Sequence, residues 1–150
     1  MNIICPALIK AQIPALLWDI EQERVAILAG HANDGTVHIA AILEAENMHH
    51  DPHNHFALKS AQWKRLKREA ERKGLQIVGL VHSHPEGHPA EASSQDLAIA
   101  KRWRAVIVGA VFHSLTGQLI WYNGDGEISR EALRLPVKMR IVNRLIGFDD

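Results

Sequence analysis

Two short groups of residues near the middle of the chain have the types and spacing that metal chemistry needs. His82 and His84 are two residues apart at the end of an apolar stretch, so in a strand their side chains leave the same face. Ser93 and Asp96 are three residues apart at the predicted start of a helix, where they also share a face. Two neutral imidazoles and one carboxylate are typical of catalytic zinc sites, which leave a fourth position for water. His82, His84 and Asp96 together therefore offer the donor set of a catalytic zinc site.

Each group also has an ordinary structural explanation. A His-x-His pair alone is common in proteins that bind no metal. Ser93 and Asp96 alone are typical of a helix N-terminus, where the serine accepts a backbone N–H and the aspartate favours the first turn. Capping and metal binding are compatible, because the cap would also fix the helix that carries Asp96. The combination of the two groups is what favours a metal site.

The composition predicts a soluble globular chain that folds as one domain over residues 1–150. Its residues are 47% hydrophobic and 23% charged. Seventeen basic and seventeen acidic side chains cancel, so no overall charge favours nucleic acid or a membrane as a partner. The single cysteine, Cys5, excludes an internal disulfide and a cysteine-rich zinc site. Without a signal peptide or a stretch approaching ~20 apolar residues, the chain is predicted to be cytoplasmic.

The hydrophobic pattern predicts helices and strands on both sides of these residues. Helices are predicted over residues 13–23, 60–73 and 93–103, and strands over residues 25–29, 36–44, 75–82, 105–113 and 118–122, with a possible edge strand over 128–137. Asn33-Asp34-Gly35 is predicted to form a hairpin turn. The order αββαβαββ predicts an α+β fold, an α/β three-layer sandwich with a central mixed sheet flanked by helices.

The two groups together resemble the signature of a known enzyme family. His82-Ser83-His84-Pro85, seven further residues and Ser93-Ser94-Gln95-Asp96 match the pattern H-x-H-P-x7-S-x2-D of the JAMM (MPN+) metalloproteases. The segment from Glu23 to Gly30 is similar to the family's E-x-x-G-x-L-x-G segment, with Ala26 in place of the first glycine. The resemblance extends from about residue 13 to residue 122, with the elements in the expected order.

The resemblance implies a cytidine-deaminase-like JAB/MPN fold and zinc-dependent hydrolysis of an amide or isopeptide bond. By position, His82, His84 and Asp96 become the zinc ligands. Glu23 becomes the general base that acts on the zinc-bound water, and Ser93 helps to stabilise the oxyanion. Compact prokaryotic relatives imply a ubiquitin-like or sulfur-carrier protein as substrate, cleaved at its C-terminal glycines. The sequence does not name that protein, say whether a precursor or a conjugate is cleaved, or give the oligomeric state.

Two other functions compete with this interpretation. Non-catalytic MPN scaffold subunits have usually lost the ligands, whereas this chain retains the whole set. A RadC-like protein linked to DNA would share the H-x-H-P loop, but the neutral net charge and the lack of a helical DNA-binding module disfavour it. No nucleic-acid partner is therefore expected.

Three further features have open interpretations. Residues 59–73 carry seven basic side chains against Glu69 and Glu71, which suits either a solvated helix face or the docking of an acidic partner. The histidines between His49 and His55 form either a mobile polar loop or a second metal site. The four tryptophans are predicted to be core anchors rather than substrate platforms.

Overall fold

The computed structural model describes residues 1–147 as a seven-stranded mixed sheet with two helices on each face. The elements are β1 (Asn2–Ile4), α1 (Ala7–Leu17), β2 (Val25–Asn33), β3 (Thr36–Ala45), α2 (Ser60–Arg72), β4 (Gln76–His84), α3 (Ser94–Arg102), β5 (Val108–His113), β6 (Gln118–Asn123), β7 (Gly126–Ala132) and α4 (Val137–Leu145). The sheet order is β1-β3-β2-β4-β5-β6-β7, and the pairs β1/β3 and β4/β5 are parallel. The predicted α+β fold with helices flanking a mixed sheet is confirmed.

The central strand β4 explains how the histidines are positioned. Both faces of β4 are covered by helices, which is why it is a nearly continuous apolar run. Leu80 packs beneath α2, whereas Val81 belongs to the core under α1. Because side chains alternate along a strand, His82 and His84 fall on the same face as Leu80, beneath α2 and α3. Gly79 permits this pairing, since a Cβ atom there would lie 1.8 Å from the carbonyl oxygen of Val108 on β5.

The first helix differs from the prediction of residues 13–23. It starts at Ala7, has Pro14 in its interior and ends at Leu17. Ile9, Ile13 and Leu17 bury one face, and this burial offsets the hydrogen bond that proline cannot make. After the helix, the Asp19 carboxylate accepts two backbone N–H groups and forms a local turn that competes with helix. Glu23 consequently lies in the irregular segment before β2 and not in a helix.

The end of the chain also differs from the prediction. Strand β7 ends at Ala132 instead of residue 137, and Pro136 precedes the unpredicted helix α4. Strand β1 was not predicted either. The hairpin turn is confirmed, with positive φ angles of 49° at Asp34 and 76° at Gly35. Within residues 1–147, none of the helices is long and apolar enough to cross a membrane.

The prediction that the four tryptophans are core anchors is only partly correct. Trp121 is 2% exposed within the core, and Trp18 and Trp63 are partly buried. Trp103 is 43% exposed, so the prediction of a core anchor is wrong for this residue. It follows the last turn of α3, where its backbone caps the helix while its ring reaches the surface.

Candidate metal centre

The strands β2 and β4 bring Glu23 to the two histidines. In the antiparallel register, Val25 lies opposite His82, so the residue two positions earlier lies near the end of β4. Ser83 fixes this approach from both sides, because its N–H donates to the Arg24 carbonyl at 2.8 Å and its hydroxyl accepts the Arg24 N–H at 2.9 Å. Glu23 and both histidines are buried.

A capping box at the start of α3 positions the fourth residue. The hydroxyl of Ser93 accepts the N–H of Asp96 at 3.1 Å, and Oδ2 of Asp96 accepts the N–H of Ser93 at 2.8 Å. The predicted cap is therefore present, and it holds the Asp96 carboxylate in a buried position facing β4. One oxygen of the carboxylate serves the cap, which leaves Oδ1 free for the histidines.

The four side chains converge on one small volume. Nδ1 of His82 lies 2.9 Å from Oε1 of Glu23, and Nε2 of His82 lies 3.0 Å from Oδ1 of Asp96. Nε2 of His84 is 3.8 Å from Oδ2 of Asp96 and 3.9 Å from Oε1 of Glu23. Among residues 1–147, the group of potential ligand atoms that all lie within 4.8 Å of one another comprises Glu23, His82 and His84. The predicted ligand Asp96 is not in this group, although its carboxylate lies 3.0 Å from Nε2 of His82 and 3.8 Å from Nε2 of His84.

Hydrogen bonds at Nδ1 orient both imidazoles. Nδ1 of His84 lies 2.7 Å from the Pro89 carbonyl, which can only accept, so Nδ1 carries the hydrogen and Nε2 keeps its lone pair. The Glu23 carboxylate fixes His82 in the same way. Histidines that bind metal usually donate the other ring N–H to a carboxylate or a carbonyl. Both Nε2 atoms are therefore free to bind a metal.

The Nε2 atom of His82 is the clearest sign of an ion site. It is buried and has no hydrogen-bond partner, although Oδ1 of Asp96 is only 3.0 Å away. The lone pair of Nε2 and the carboxylate oxygen are both electron-rich, and they are not aligned for a hydrogen bond. A positive charge beside them would offset their repulsion. A metal ion or an added proton can supply that charge.

The surroundings shift the pKa values of three of these groups. Burial alone would lower the pKa of His82, but Asp96 and then Glu23 outweigh it and raise the pKa to about 9. Burial and the neighbouring His82 lower the pKa of His84 to about 4. Burial alone would raise the pKa of Asp96, but His82 and the Ser93 N–H lower it to about 2. The site thus combines one readily protonated imidazole, one neutral imidazole and one carboxylate.

A cleft of about 330 Å³ is lined by Glu23, His84 and Asp96, and His82 lies behind them. Phe56 lines it and stacks on the His82 ring, with the ring centroids 4.6 Å apart. His88, a loop residue between the two motif halves, also lines it, and its Nε2 donates to Oδ1 of Asn54 at 3.2 Å. The position of Phe56 at the cleft is not predictable from the sequence, because it lies in an irregular segment where no hydrophobic periodicity indicates which way a side chain points.

The loop of residues 47–57 supports Glu23. The N–H of Glu23 donates to the Pro52 carbonyl at 2.7 Å, and Nδ2 of Asn47 donates to the Glu23 carbonyl at 2.7 Å. Nδ2 of Asn47 also donates to the His55 carbonyl at 2.9 Å. The loop therefore holds the backbone of Glu23 on both sides, a role that the sequence did not indicate.

The histidines of this loop do not form a second metal site in the described part of the chain, residues 1–147. No three potential ligand atoms from His49 to His55 lie within 4.8 Å of one another. Nδ1 of His49 accepts the N–H of Asp51 at 2.9 Å, and Nδ1 of His53 donates to the Glu21 carbonyl at 2.6 Å. These contacts serve the loop itself and its attachment to the segment before Glu23.

One family model matches this chain, and several solved structures have a similar fold. The family model for prokaryotic homologs of the JAB domain matches residues 7–122. A solution structure from Desulfitobacterium hafniense is similar at 17% identity and a TM-score of 0.67, over 91% of this chain and 93% of that chain. One from Salinibacter ruber is similar at 22% identity and a TM-score of 0.51, over 93% and 84%. A crystal structure of a JAB1/MPN domain protein from Archaeoglobus fulgidus is 19% identical, with a TM-score of 0.48 over 89% and 97%. None of the curated proteins matches the sequence.

Proposed function

The chain belongs to the family of prokaryotic homologs of the JAB domain, and from that premise we propose that it is a zinc-dependent peptidase or isopeptidase. Its proposed substrate is a ubiquitin-like or sulfur-carrier protein, hydrolysed at an amide or isopeptide bond at the C-terminal glycines. The observation that carries the proposal is the convergence of the buried side chains of Glu23, His82, His84 and Asp96 beside one cleft. The substrate class comes from the resemblance to JAMM metalloproteases.

The proposed zinc ligands are His82, His84 and Asp96. Their donor set of two imidazole nitrogens and one carboxylate oxygen suits zinc and leaves one position open. The unpartnered Nε2 of His82 and the Nδ1 hydrogen bonds of both histidines support this assignment. Zinc bound there would act as a Lewis acid that polarises a carbonyl and makes water acidic enough to ionise near pH ~7.

Glu23 is the proposed general base. Its carboxylate borders the same cleft as His84 and is held in place by the Nδ1 hydrogen of His82. It takes a proton from an attacking water molecule as the new C–O bond forms, and it passes that proton to the amine when the C–N bond breaks. General acid–base transfer of this kind contributes typically about 10²–10⁴-fold.

Ser93 is the proposed oxyanion donor. Its hydroxyl oxygen accepts the N–H of Asp96, which leaves the hydroxyl hydrogen free to donate into the cleft. A well-placed donor of this kind is worth roughly 2.7–4 kcal/mol in the transition state. The complete set of four residues supports an enzyme over a non-catalytic MPN scaffold, and no observation favours the DNA-linked alternative.

Cleavage of a defined fusion, run beside metal analysis, tests the proposal. The substrate is a ubiquitin-like protein joined through Gly-Gly to a fluorescent peptide. The wild type is expected to bind about one zinc ion per chain and to cleave after the glycines, to lose activity with a chelator and to regain it with zinc. His84→Ala should lose both zinc and cleavage, whereas His38→Ala, at an exposed position of β3, should lose neither. A wild type that binds no zinc would refute the metal site, and one that binds zinc but leaves the fusion intact would refute the substrate.

A further inference from the structure

A second concave surface lies beside the cleft, on the same face of the sheet. It is an apolar groove of about 420 Å³, lined by Leu58, Trp63, Trp103 and Ala105 among others. The rings of Trp63 and Trp103 meet edge to face, with centroids 5.6 Å apart. Trp103 is exposed and Trp63 is partly buried, and indoles that meet in a concavity are typical of recognition surfaces, because they offer a large apolar area at a small entropic cost.

Two segments of the chain each contribute side chains to both the cleft and the groove. Ile99 on α3 lines the cleft, and Trp103, which directly follows α3, lines the groove. In the segment before α2, Phe56 lines the cleft and Leu58 lines the groove. Ile99, Phe56, Leu58 and Trp63 all pack around one core beneath α2 and α3. The cleft and the groove are therefore neighbours on the same face of the molecule.

Two basic side chains lie at or beside the groove. Arg104 lines both the groove and the depression next to it, where Lys67 also lies. Within residues 1–147, no carboxylate lies within 4.0 Å of the charged atoms of Lys67 or Arg104, whereas Arg65 on another side of α2 pairs with Glu69 at 3.8 Å. Glu71 is the acidic residue that lines the adjoining depression. The unpaired cations favour an acidic partner.

We propose that this groove docks the folded body of the protein substrate, which inserts an apolar side chain from an acidic surface patch between Trp63 and Trp103 while its C-terminal tail enters the cleft. The inference rests on the proposed function and adds the surface that would recognise the substrate. A second copy of the chain does not fit this description, because a symmetric contact would place the basic faces of two α2 helices against each other.

Binding can be measured without turnover, because the four indole N–H groups give separate NMR signals. The probe is an acidic peptide with a central Leu-Phe pair between Asp and Glu residues, and its control carries Asn and Gln instead. The acidic peptide should shift the signals of Trp63 and Trp103, whereas Trp18 and Trp121 on the opposite face should not move. The shifts should weaken as NaCl rises from about 50 mM to about 500 mM. No shift at Trp63 and Trp103, an equal shift of all four, or an equal effect of the amide control would overturn the proposal.

Kinetics with the Gly-Gly fusion test whether the docked protein is the substrate. Trp103→Ala and Lys67→Glu should each raise KM about tenfold, as expected for a loss of contacts at an interface, with little change in kcat. Leu145→Ala and Lys138→Glu are matched controls on α4, where Leu145 is 80% exposed, and they should leave KM unchanged. A short Gly-Gly peptide without the folded body should show no difference between Trp103→Ala and the wild type.

The outcomes separate this inference from the proposed function. Cleavage of the fusion with an unchanged KM in both groove variants would overturn the docking surface and leave the peptidase in place. If the wild type cleaves no fusion but the acidic peptide shifts Trp63 and Trp103, the peptidase fails and the groove stands as a binding surface for another acidic protein.

Discussion

The two histidines of the site differ in protonation although they are two residues apart on one strand. Two carboxylates face His82, which raises its pKa to about 9, whereas burial lowers the pKa of His84 to about 4. At neutral pH, His82 of the metal-free protein therefore carries a hydrogen on both ring nitrogens, with Nδ1 facing Glu23 and Nε2 facing Asp96. Zinc must displace the hydrogen on Nε2, so metal and proton compete for this atom.

The stability of the metal-free protein should decrease on both sides of pH 6.5. The folded-state pKa of His82 exceeds its ordinary value of 6.5. The stability that protonated His82 contributes is therefore complete below pH 6.5 and is lost as the pH rises through about 9. The folded-state pKa of His84 is depressed, so stability is also lost as the pH falls from 6.5 through about 4. Since one pKa unit corresponds to about 1.4 kcal/mol, the alkaline loss is on the order of 3 kcal/mol.

Urea denaturation with a chelator between pH 4 and pH 9 measures this dependence. His82→Gln keeps a polar side chain of similar reach and cannot be protonated, so its unfolding free energy should no longer fall between pH 6.5 and pH 9. A wild-type alkaline decrease that persists unchanged in His82→Gln would show that another group is responsible.

At the scale of elements, the N-terminus of α3 serves both the helix and the cleft. The capping box supplies partners for backbone N–H groups that the helix itself cannot satisfy. The same box fixes the rotation of Asp96 toward β4 and leaves the Ser93 hydroxyl at the cleft. Stability and catalysis can therefore be separated only by substitutions that remove one role at a time.

Replacement of Ser93 separates these roles. Ser93→Ala should lower the unfolding free energy of the metal-free protein by about 1 kcal/mol, whereas Ser93→Gly should lower it by only a few tenths of a kcal/mol, because glycine is tolerated at an N-cap. Both substitutions remove the hydroxyl, so both should lower kcat by roughly 10²–10³-fold. Ser93→Thr retains cap and hydroxyl and is the control. Full turnover by Ser93→Gly would show that Ser93 is only a cap.

The loop of residues 47–57 is the second element on which the site depends. Nδ2 of Asn47 bridges the carbonyls of Glu23 and His55, and its Oδ1 accepts two backbone N–H groups of the same loop. All the hydrogen-bonding capacity of this side chain is used, so it joins the loop to the backbone of the proposed base.

Asn47→Ala should therefore impair turnover while the zinc content is retained. Loss of the bridge lets Glu23 shift, and a displacement of about 1 Å can cost on the order of 10²-fold in rate. The control is Asn123→Ala, which removes an asparagine that accepts the N–H of Asp125 in the β6–β7 turn. Both variants should lose stability, but only Asn47→Ala should lose kcat. Equal kcat values in the two variants would refute the positioning role.

Local rules explain which elements the sequence predicts. Strand alternation and helix capping act over two to three residues, so they pair His82 with His84 and Ser93 with Asp96, whereas the resemblance to the JAMM signature joins the two groups into one site. The helix predicted over residues 13–23 begins one residue before Pro14, whereas α1 contains Pro14 in its interior, because the burial that offsets the cost of this proline is a tertiary effect. Phe56 and Asn47 lie in an irregular loop, where sequence spacing does not give spatial direction. Glu23 was identified only through the resemblance to the JAMM signature.

At the scale of the whole molecule, the core does not depend on the site. One buried cluster fills the space between the sheet and α1, and another fills the space beneath α2 and α3. The four site residues converge near the end of β4 and are absent from both clusters. Metal can therefore add to the stability of the fold without being required for it.

Chelation should accordingly leave a folded protein. Thermal unfolding followed by circular dichroism should give a single cooperative transition with and without a chelator, at a lower Tm when zinc is removed, because a ligand that binds the folded state stabilises it by mass action. His84→Ala should unfold at the same Tm in both conditions. Loss of cooperativity on chelation would indicate a structural zinc site, in which metal binding drives folding.

Glu23→Gln tests most directly whether Glu23 moves protons while His82, His84 and Asp96 hold the metal. Glutamine is nearly isosteric with glutamate and retains a hydrogen-bonding group near His82, but it cannot accept a proton from water. We predict about one zinc ion per chain and a loss of about 10²–10⁴-fold in cleavage of the Gly-Gly fusion, with both measured on the same samples. Equal cleavage by the wild type and Glu23→Gln would contradict the role of Glu23 as base, and loss of zinc from the variant would show that Glu23 is a ligand.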